Sequence, residues 1–219
     1  MVGLGLKNRK PIVIASLPIR SPQDLLKIGI ADDADLVEVR LDYMDNPLSI
    51  EPDLLARFRD RIIVTIRDRS EGGLREVDEH LKAEYLSRLD KLGLLYDVEI
   101  SFVEKHRIPY DGKILSIHYI SRLPTKEEII SRINVYAEKA FVIKIAVNNM
   151  KGYKELLASL LEAGYDNIAV MPMGSDPLER IALTLMGSKL IYGYIETPTA
   201  PGQMHYKEIL RIFRCIYGS

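Results

Sequence analysis

The feature that most constrains this chain is an alternation repeated eight times, a short run of apolar residues followed by a crossover segment, usually one with helical periodicity. Pro11 to Ser16, Asp35 to Arg40, Arg61 to Ile66, Leu95 to Ile100, Lys113 to His118, Phe141 to Val147, Asn167 to Met171 and Lys189 to Ile195 read as strands. Helices are expected from Ser21 and Pro22 to about Ile28, over Pro52 to Phe58, and from about Glu76 to Lys91. Others are expected from Pro124 and Thr125 to Lys139, from about Lys151 to Ala163, over Asp176 to Met186, and from His205 to Tyr217. The segment after the fourth strand reads as short and poorly helical. Eight strand-and-crossover units in 219 residues fit one closed barrel. An open doubly wound sheet is the rival, but Ala15, Ser16, Leu17 and Pro18 stand where its glycine-rich turn would follow the first strand. The prediction is an α/β protein, a single (β/α)8 TIM barrel occupying residues 1–219.

Within that frame one residue is out of place. Lys144 lies in the middle of F-V-I-K-I-A-V, where period-two alternation puts Phe141, Ile143, Ile145 and Val147 on one face and Val142, Lys144 and Ala146 on the other. An isolated ammonium buried in a strand costs far more than one side chain returns, so Lys144 must be paired or neutral. Other strands carry polar residues on one face near their C-terminal ends: Glu38 and Arg40; Thr65 and Arg67; Asp97 and Glu99; Ser116 and His118. Taken singly, each has a plain structural explanation, as a strand-end ion pair, a brace between strands or a satisfied core histidine. Together they converge on the end of a barrel where the loops after the strands build a site.

These residue types suggest a chemistry. Arg40 and Arg67 would bring positive charge toward Lys144, depress its pKa and leave more of the amine neutral and nucleophilic toward a carbonyl. His118 is the candidate to move a proton beside the resulting iminium, since imidazole serves as base and then acid near neutral pH. The turn Glu71-Gly72-Gly73 and the loop Thr197 to Gln203 border the same mouth, and Arg180 could reach an anion or face solvent.

Composition narrows the classes. Thirty basic against thirty-one acidic side chains give a net charge of −1, with no basic excess to suggest nucleic acid or an anionic membrane. No apolar run is of transmembrane length, and the N-terminal M-V-G-L-G-L-K-N-R-K has too short an apolar stretch for a signal peptide, with its charges after that stretch rather than before it. A single cysteine, Cys215, allows neither an intrachain disulfide nor a cysteine metal cluster. A soluble, cytoplasmic protein is expected, and only two glutamines beside abundant Ile, Arg, Glu and Lys lean toward a thermophile.

Several short strings, in order and in strand register, carry a family resemblance: E-V-R-L-D from Glu38, T-I-R from Thr65 with E-G-G from Glu71, S-I-H from Ser116, K-I-A-V from Lys144, M-P-M-G from Met171 and A-P-G-Q from Ala200. Over essentially its whole length the chain resembles the type I 3-dehydroquinate dehydratases of the shikimate pathway. The resemblance implies a Schiff base between Lys144 and the ketone of 3-dehydroquinate, proton transfer by His118, and loss of water to give 3-dehydroshikimate. It implies that Glu71 orients His118, that Glu38 and Arg67 hold substrate hydroxyls with support from Arg40, and that Arg180, Thr199 and Gln203 bind the carboxylate. No metal or organic cofactor is implied, and the partners implied are the small-molecule substrate and a second copy of the chain in a homodimer. The chain departs from the family pattern at Thr199, where serine is usual, at Asp176 to Glu179 before Arg180, and at Asn148 and Asn149 after K-I-A-V. Two other readings stay open at this point: a class I aldolase using the same lysine, and a barrel without turnover.

Overall fold

A computed structural model describes residues 10–218. The N-terminal stretch weighed above as a signal peptide therefore lies almost wholly outside the described residues. Eight parallel strands form one sheet: β1 (Ile12–Pro18), β2 (Leu36–Arg40), β3 (Ile62–Thr65), β4 (Leu95–Glu99), β5 (Ile114–Tyr119), β6 (Val142–Asn148), β7 (Ile168–Met173) and β8 (Leu190–Tyr194). Their hydrogen-bonded order runs β7-β6-β5-β4-β3-β2-β1-β8, so every neighbour but one is a sequence neighbour and β1 pairs with β8. The seam between β7 and β8 is drawn together by the Lys189 amide donating to Ile168 O (2.9 Å) and the Val170 amide donating to the buried Ser188 Oγ (2.9 Å). The ring is thereby nearly closed, as the alternation of the sequence predicts.

Among the described residues, seven α-helices cover the ring: α1 (Pro52–Leu55), α2 (Glu79–Lys91), α3 (Ile100–His106), α4 (Lys126–Ile133), α5 (Tyr153–Leu161), α6 (Pro177–Leu185) and α7 (Tyr206–Tyr217). Asp78, Thr125 and Asp176 cap α2, α4 and α6, each side chain accepting from backbone amides of the first turn. α7 buries Tyr206, Ile209, Leu210 and Phe213, an i, i+3, i+4, i+7 stripe against the sheet, and stops at left-handed Gly218. Most boundaries shift by one to three residues from the sequence reading, and α1 gives way to a 3-10 turn at Ala56–Phe58. The segment after β1 is a 3-10 helix, Pro22–Ala31, and α4 ends at Ile133 because turns take over from Asn134. The segment after β4 does form a helix, α3, because Ile100, Phe102 and Val103 have an apolar groove to bury into, which local propensity does not reveal.

Two apolar layers result. The larger lies between the outer face of the sheet and the helices and includes Val37, Val39, Val64, Ile143, Ile145 and Val147. The smaller fills the barrel with Ile14, Ile63, Ile114, Val142, Ala146, Ala169 and Leu190, among others. Because the pleat has period two, the residue after each inner apolar one along the same face is inner as well. Ile14 is followed by Ser16, Leu36 by Glu38 and Arg40, Ile63 by Thr65, Leu95 by Asp97 and Glu99, Ile114 by Ser116 and His118, and Val142 by Lys144. An apolar plug thus closes the N-terminal end of the barrel, and a polar layer lies above it.

Candidate active site

Lys144 sits at the centre of that polar layer, 5 % exposed, with Ser116 as its β5 register partner and Ala169 as its β7 partner. The small Ala146 and Ala169 leave room for the long side chain. Its ammonium is ion-paired with Asp97 on β4 and lies 4.8 Å from the centre of the Tyr192 ring on β8. Burial lowers the lysine pKa most; Asp97 opposes this and Arg67 adds to it. This corrects the sequence reading, in which cations alone were to keep the amine neutral. Arg67 is itself spent on carboxylates, and Arg40 is turned aside to Asp42, with Nε and Nη2 each 2.8 Å from its carboxylate.

Beneath the lysine the charges alternate. Arg67 donates to Asp97 Oδ1 (2.7 Å), Glu99 Oε1 (2.8 Å) and Ser116 Oγ (2.6 Å). The Ser116 hydroxyl in turn donates to Asp97 Oδ1 (2.6 Å), and Lys82 reaches in from α2 to Glu99 Oε2 (2.9 Å). The order is Lys82, Glu99, Arg67, Asp97, Lys144, every member buried. With Arg67, Lys144 and Ser116 all upon it, Asp97 is held far below the ordinary carboxylate range despite full burial. Glu38 is fixed separately, accepting from Ser16 Oγ (2.7 Å) and Thr65 Oγ1 (2.9 Å). Arg40 also donates to Thr199 O (3.3 Å), tying β2 to the loop after β8.

His118 and Glu71 form a second unit. One oxygen of Glu71, Oε2, accepts from the His118 amide (3.0 Å) and faces its Nδ1 (2.8 Å), while Oε1 accepts from Ser101 Oγ (3.1 Å). The glycines behind Glu71 explain how it gets there. Gly72 is left-handed at φ 91°, and a Cβ on Gly73 would lie 2.0 Å from Arg67 O, so only glycine lets the chain fold tightly back over the end of β3. Burial pushes the Glu71 carboxyl up to about 7, with Glu99 adding and Arg67 opposing. Burial, helped by Arg67 and Lys144, holds His118 well below the ordinary imidazole value. A neutral imidazole beside a buried lysine is therefore the resting arrangement.

On the other side of the mouth, Arg180 on α6 is 5 % exposed and makes no ion pair among the described residues. Its Nε donates to Pro172 O (3.2 Å) and Nη2 to Pro201 O (2.8 Å), and burial alone lowers its pKa to about 10. A buried guanidinium satisfied only by carbonyls is a site for an anion. Beside it, Gln203 Oε1 accepts from Thr199 N (2.6 Å), Thr199 Oγ1 (3.1 Å) and Ala200 N (3.2 Å), which leaves its amide nitrogen for a ligand. Gly202, at φ 76°, lets this loop pass so close to Ser175 that a Cβ would meet Ser175 O at 2.8 Å.

Glu38, Arg40, Arg67, His118, Lys144, Arg180 and Gln203 all line one cleft with about 420 Å³ of empty space. Glu71 and Thr199 stand behind it, bonded to His118 and Gln203. A roomier cleft, about 910 Å³, lies outside the barrel between the β3 loop and α2, but it has neither His118 nor Lys144 in its wall. Among the described residues, no group of three or more His, Cys, Asp or Glu is placed to hold a metal ion, and no helix is long and apolar enough to cross a membrane.

The model of the type I 3-dehydroquinase family matches residues 15–219. The chain belongs to that family. It is 46 % identical over 211 residues to a 3-dehydroquinate dehydratase of Saccharolobus solfataricus, covering 94 % of this chain and 95 % of that relative. It is also 46 % identical over 209 residues to one from Metallosphaera sedula, covering 95 % of this chain and 99 % of the relative. The fold is shared with the crystal structure of 3-dehydroquinate dehydratase from Geobacillus kaustophilus, with a TM-score of 0.77 at 19 % identity over 95 % of this chain and 92 % of that one.

Against this family member's cleft, reading the sequence found every lining charge but missed four neighbours. Ser16 and Asp42 position Glu38 and Arg40, Lys82 ends the buried charge series, and Tyr192 faces Lys144. Period-two alternation through Leu190 and Tyr192 would have pointed Tyr192 inward, as it did for the other strands. On α2, Lys82 shares an i, i+3, i+4, i+7 stripe with Tyr85, Leu86 and Leu89, so helical period would have turned it inward.

Proposed function

We propose that this chain dehydrates 3-dehydroquinate to 3-dehydroshikimate, in the biosynthesis of aromatic amino acids, through a Schiff base on Lys144. One observation supports this above the rest: a buried lysine shares its cleft with a neutral histidine braced by a carboxyl group and with a buried arginine that has no carboxylate of its own. The neutral amine attacks the C3 ketone, and loss of water from the adduct leaves an iminium. Asp97, a fixed anion against the nitrogen, favours that cation as it forms, which is where stabilisation accelerates the reaction. His118 takes the C2 proton and returns it to the C1 hydroxyl, which departs as water, and hydrolysis of the iminium frees the product.

The other residues position the substrate. Arg180, with Gln203 and Thr199, takes the substrate carboxylate, and Glu38 takes ring hydroxyls. Arg67 is so heavily engaged with Asp97 and Glu99 that its role is as much to set the field at Lys144 as to bind a hydroxyl. Arg40 supports this group from Asp42 and the Thr199 carbonyl. No step calls for a metal or organic cofactor. The aldolase reading wants a phosphate at the loops after β7 and β8, where Glu196 offers a carboxylate that is already paired with Lys27 (2.9 Å). From the sequence pattern and composition we carry forward one domain and a cytoplasmic setting, and from the family resemblance a homodimer, the last open to sedimentation analysis.

Incubation with 3-dehydroquinate and borohydride, followed by intact-mass measurement and peptide mapping, tests the reading. A reduced adduct on Lys144 is expected, absent from Lys144→Ala, with His118→Ala forming the adduct but turning over very slowly. Normal dehydration by Lys144→Ala would overturn the covalent route.

A further inference from the structure

Tyr192 carries a buried hydroxyl with no hydrogen-bond partner among the described residues, although its side chain is 3 % exposed. Leaving such a donor unmade is expensive, and proteins rarely do so without a reason. Two other buried side-chain hydroxyls, of Tyr119 and Ser175, share this condition, but neither lines the cleft. Tyr192 does, together with Glu38, Arg67, His118 and Lys144, and its ring centre lies 4.8 Å from the Lys144 ammonium. The site is polar, and the cleft is open to whatever ligand Lys144 captures.

We propose that the Tyr192 hydroxyl is a substrate-contacting donor, giving its hydrogen bond to a substrate oxygen on or next to the carbon that Lys144 attacks. This rests on the Schiff-base reading given above and goes beyond it by adding a contact on the β8 side of the ring. Two features suit the phenol to the task. It stays protonated, because burial and the nearby Asp97 and Glu38 carboxylates push it well above the ordinary tyrosine value. It is also rigidly placed: β8 pairs Tyr192 with Ile14, and a Cβ on the following Gly193 would come within 2.6 Å of Tyr206 Cα, so β8 is pressed against the start of α7. The aromatic face against Lys144 favours a cation on nitrogen, and the hydroxyl at its edge reads the oxygen pattern of a polyhydroxylated ring. A substrate with an apolar ring would leave the donor unpaired, so the residue selects for hydroxylated substrates.

The test is Tyr192→Phe, which removes one oxygen and keeps the ring. The variant is expected to lose about threefold to tenfold in kcat/KM for 3-dehydroquinate, mainly through a higher KM, the size of one neutral hydrogen bond. Its melting temperature without substrate should stay level or rise, because the deleted hydroxyl was unsatisfied in the empty cleft. A loss in kcat/KM of less than threefold overturns the inference, as does a fall in melting temperature, which would show the hydroxyl held by interior water as part of the structure. Borohydride trapping of the unaltered protein separates the two ideas. If Lys144 takes no adduct, the Schiff-base reading fails and this inference fails with it; if Lys144 is trapped while Tyr192→Phe behaves as the parent, the inference alone is wrong.

Discussion

Replacing Glu71 by Gln should change the pH dependence of both activity and stability, in directions fixed by the structure. Glu71 is 11 % exposed, one oxygen faces His118 Nδ1 at 2.8 Å, and burial raises its carboxyl from an ordinary 4.5 to about 7. Below about pH 7 the protonated carboxyl donates to Nδ1, the imidazole hydrogen sits on Nε2, and the ring cannot accept a proton from substrate. Above it the carboxylate accepts from Nδ1–H, and Nε2 becomes the base. The parent protein should therefore show an acid limb in kcat/KM near pH 7. In Glu71→Gln the amide oxygen accepts from Nδ1–H at every pH, so that limb should vanish, while the plateau falls about tenfold because a neutral amide stabilises the imidazolium less.

Stability should follow the same group. Between pH 4.5 and about 7 the folded state holds the Glu71 proton and the unfolded state does not. Stability therefore declines as pH rises through that window and stays reduced above it. A rise from 4.5 to about 7 corresponds to about 3 kcal/mol at most. The glutamine variant does not titrate there, so at pH 8 it should be the more stable protein by up to about 3 kcal/mol, with the gap closing toward pH 4. Denaturant melts at several pH values and a pH–rate profile, read from the absorbance of the conjugated product, make the comparison. An acid limb near pH 7 that persists unchanged in Glu71→Gln would refute the argument.

Three further substitutions probe the rest of the cleft. Arg180→Met should raise KM about 10-fold to 100-fold, the size of a charge-assisted hydrogen bond, yet leave the melting temperature level or higher because a buried unpaired cation is gone; calorimetry beside steady-state kinetics checks both. Lys82→Met should destabilise by about 3 to 5 kcal/mol in chemical denaturation, since it leaves the buried Glu99 Oε2 without its cation, and Lys82→Arg should recover much of this. Thr199→Ser should stay within about threefold of the parent kcat/KM, because the hydroxyl that meets Gln203 Oε1 is kept and only a methyl lost.

What the sequence discloses and what it hides divide along a physical line. Strand positions and inward faces are properties of period, and period is local, so Glu38, Asp97, Glu99, Ser116, His118 and Lys144 could be set on the inner wall from spacing alone. Residues off the strands were less legible. Glu71 reaches His118 only because Gly72 and Gly73 turn the chain back over Arg67, and although helical period turns Lys82 inward, it does not show that Glu99 on β4 is its partner.

The largest change concerns the lysine. Period shows that Arg67 shares a wall with Lys144, and from that alone the arginine acts as an unopposed cation. Register supplies what period lacks: Thr65 pairs with Asp97 and Glu99 with Ser116, so the residue just beyond β3 meets two carboxylates. Arg67 and Lys82 against Asp97 and Glu99 sum to zero charge, and a neutral set cannot by itself drive a proton from Lys144. Removal from water is what lowers the lysine pKa most, and Asp97 serves the opposite end of the reaction, welcoming positive charge on nitrogen once the ketone is bound. An amine that must be neutral to attack and cationic to activate needs both influences at once, and a barrel floor of alternating charges supplies them without leaving any member unpaired.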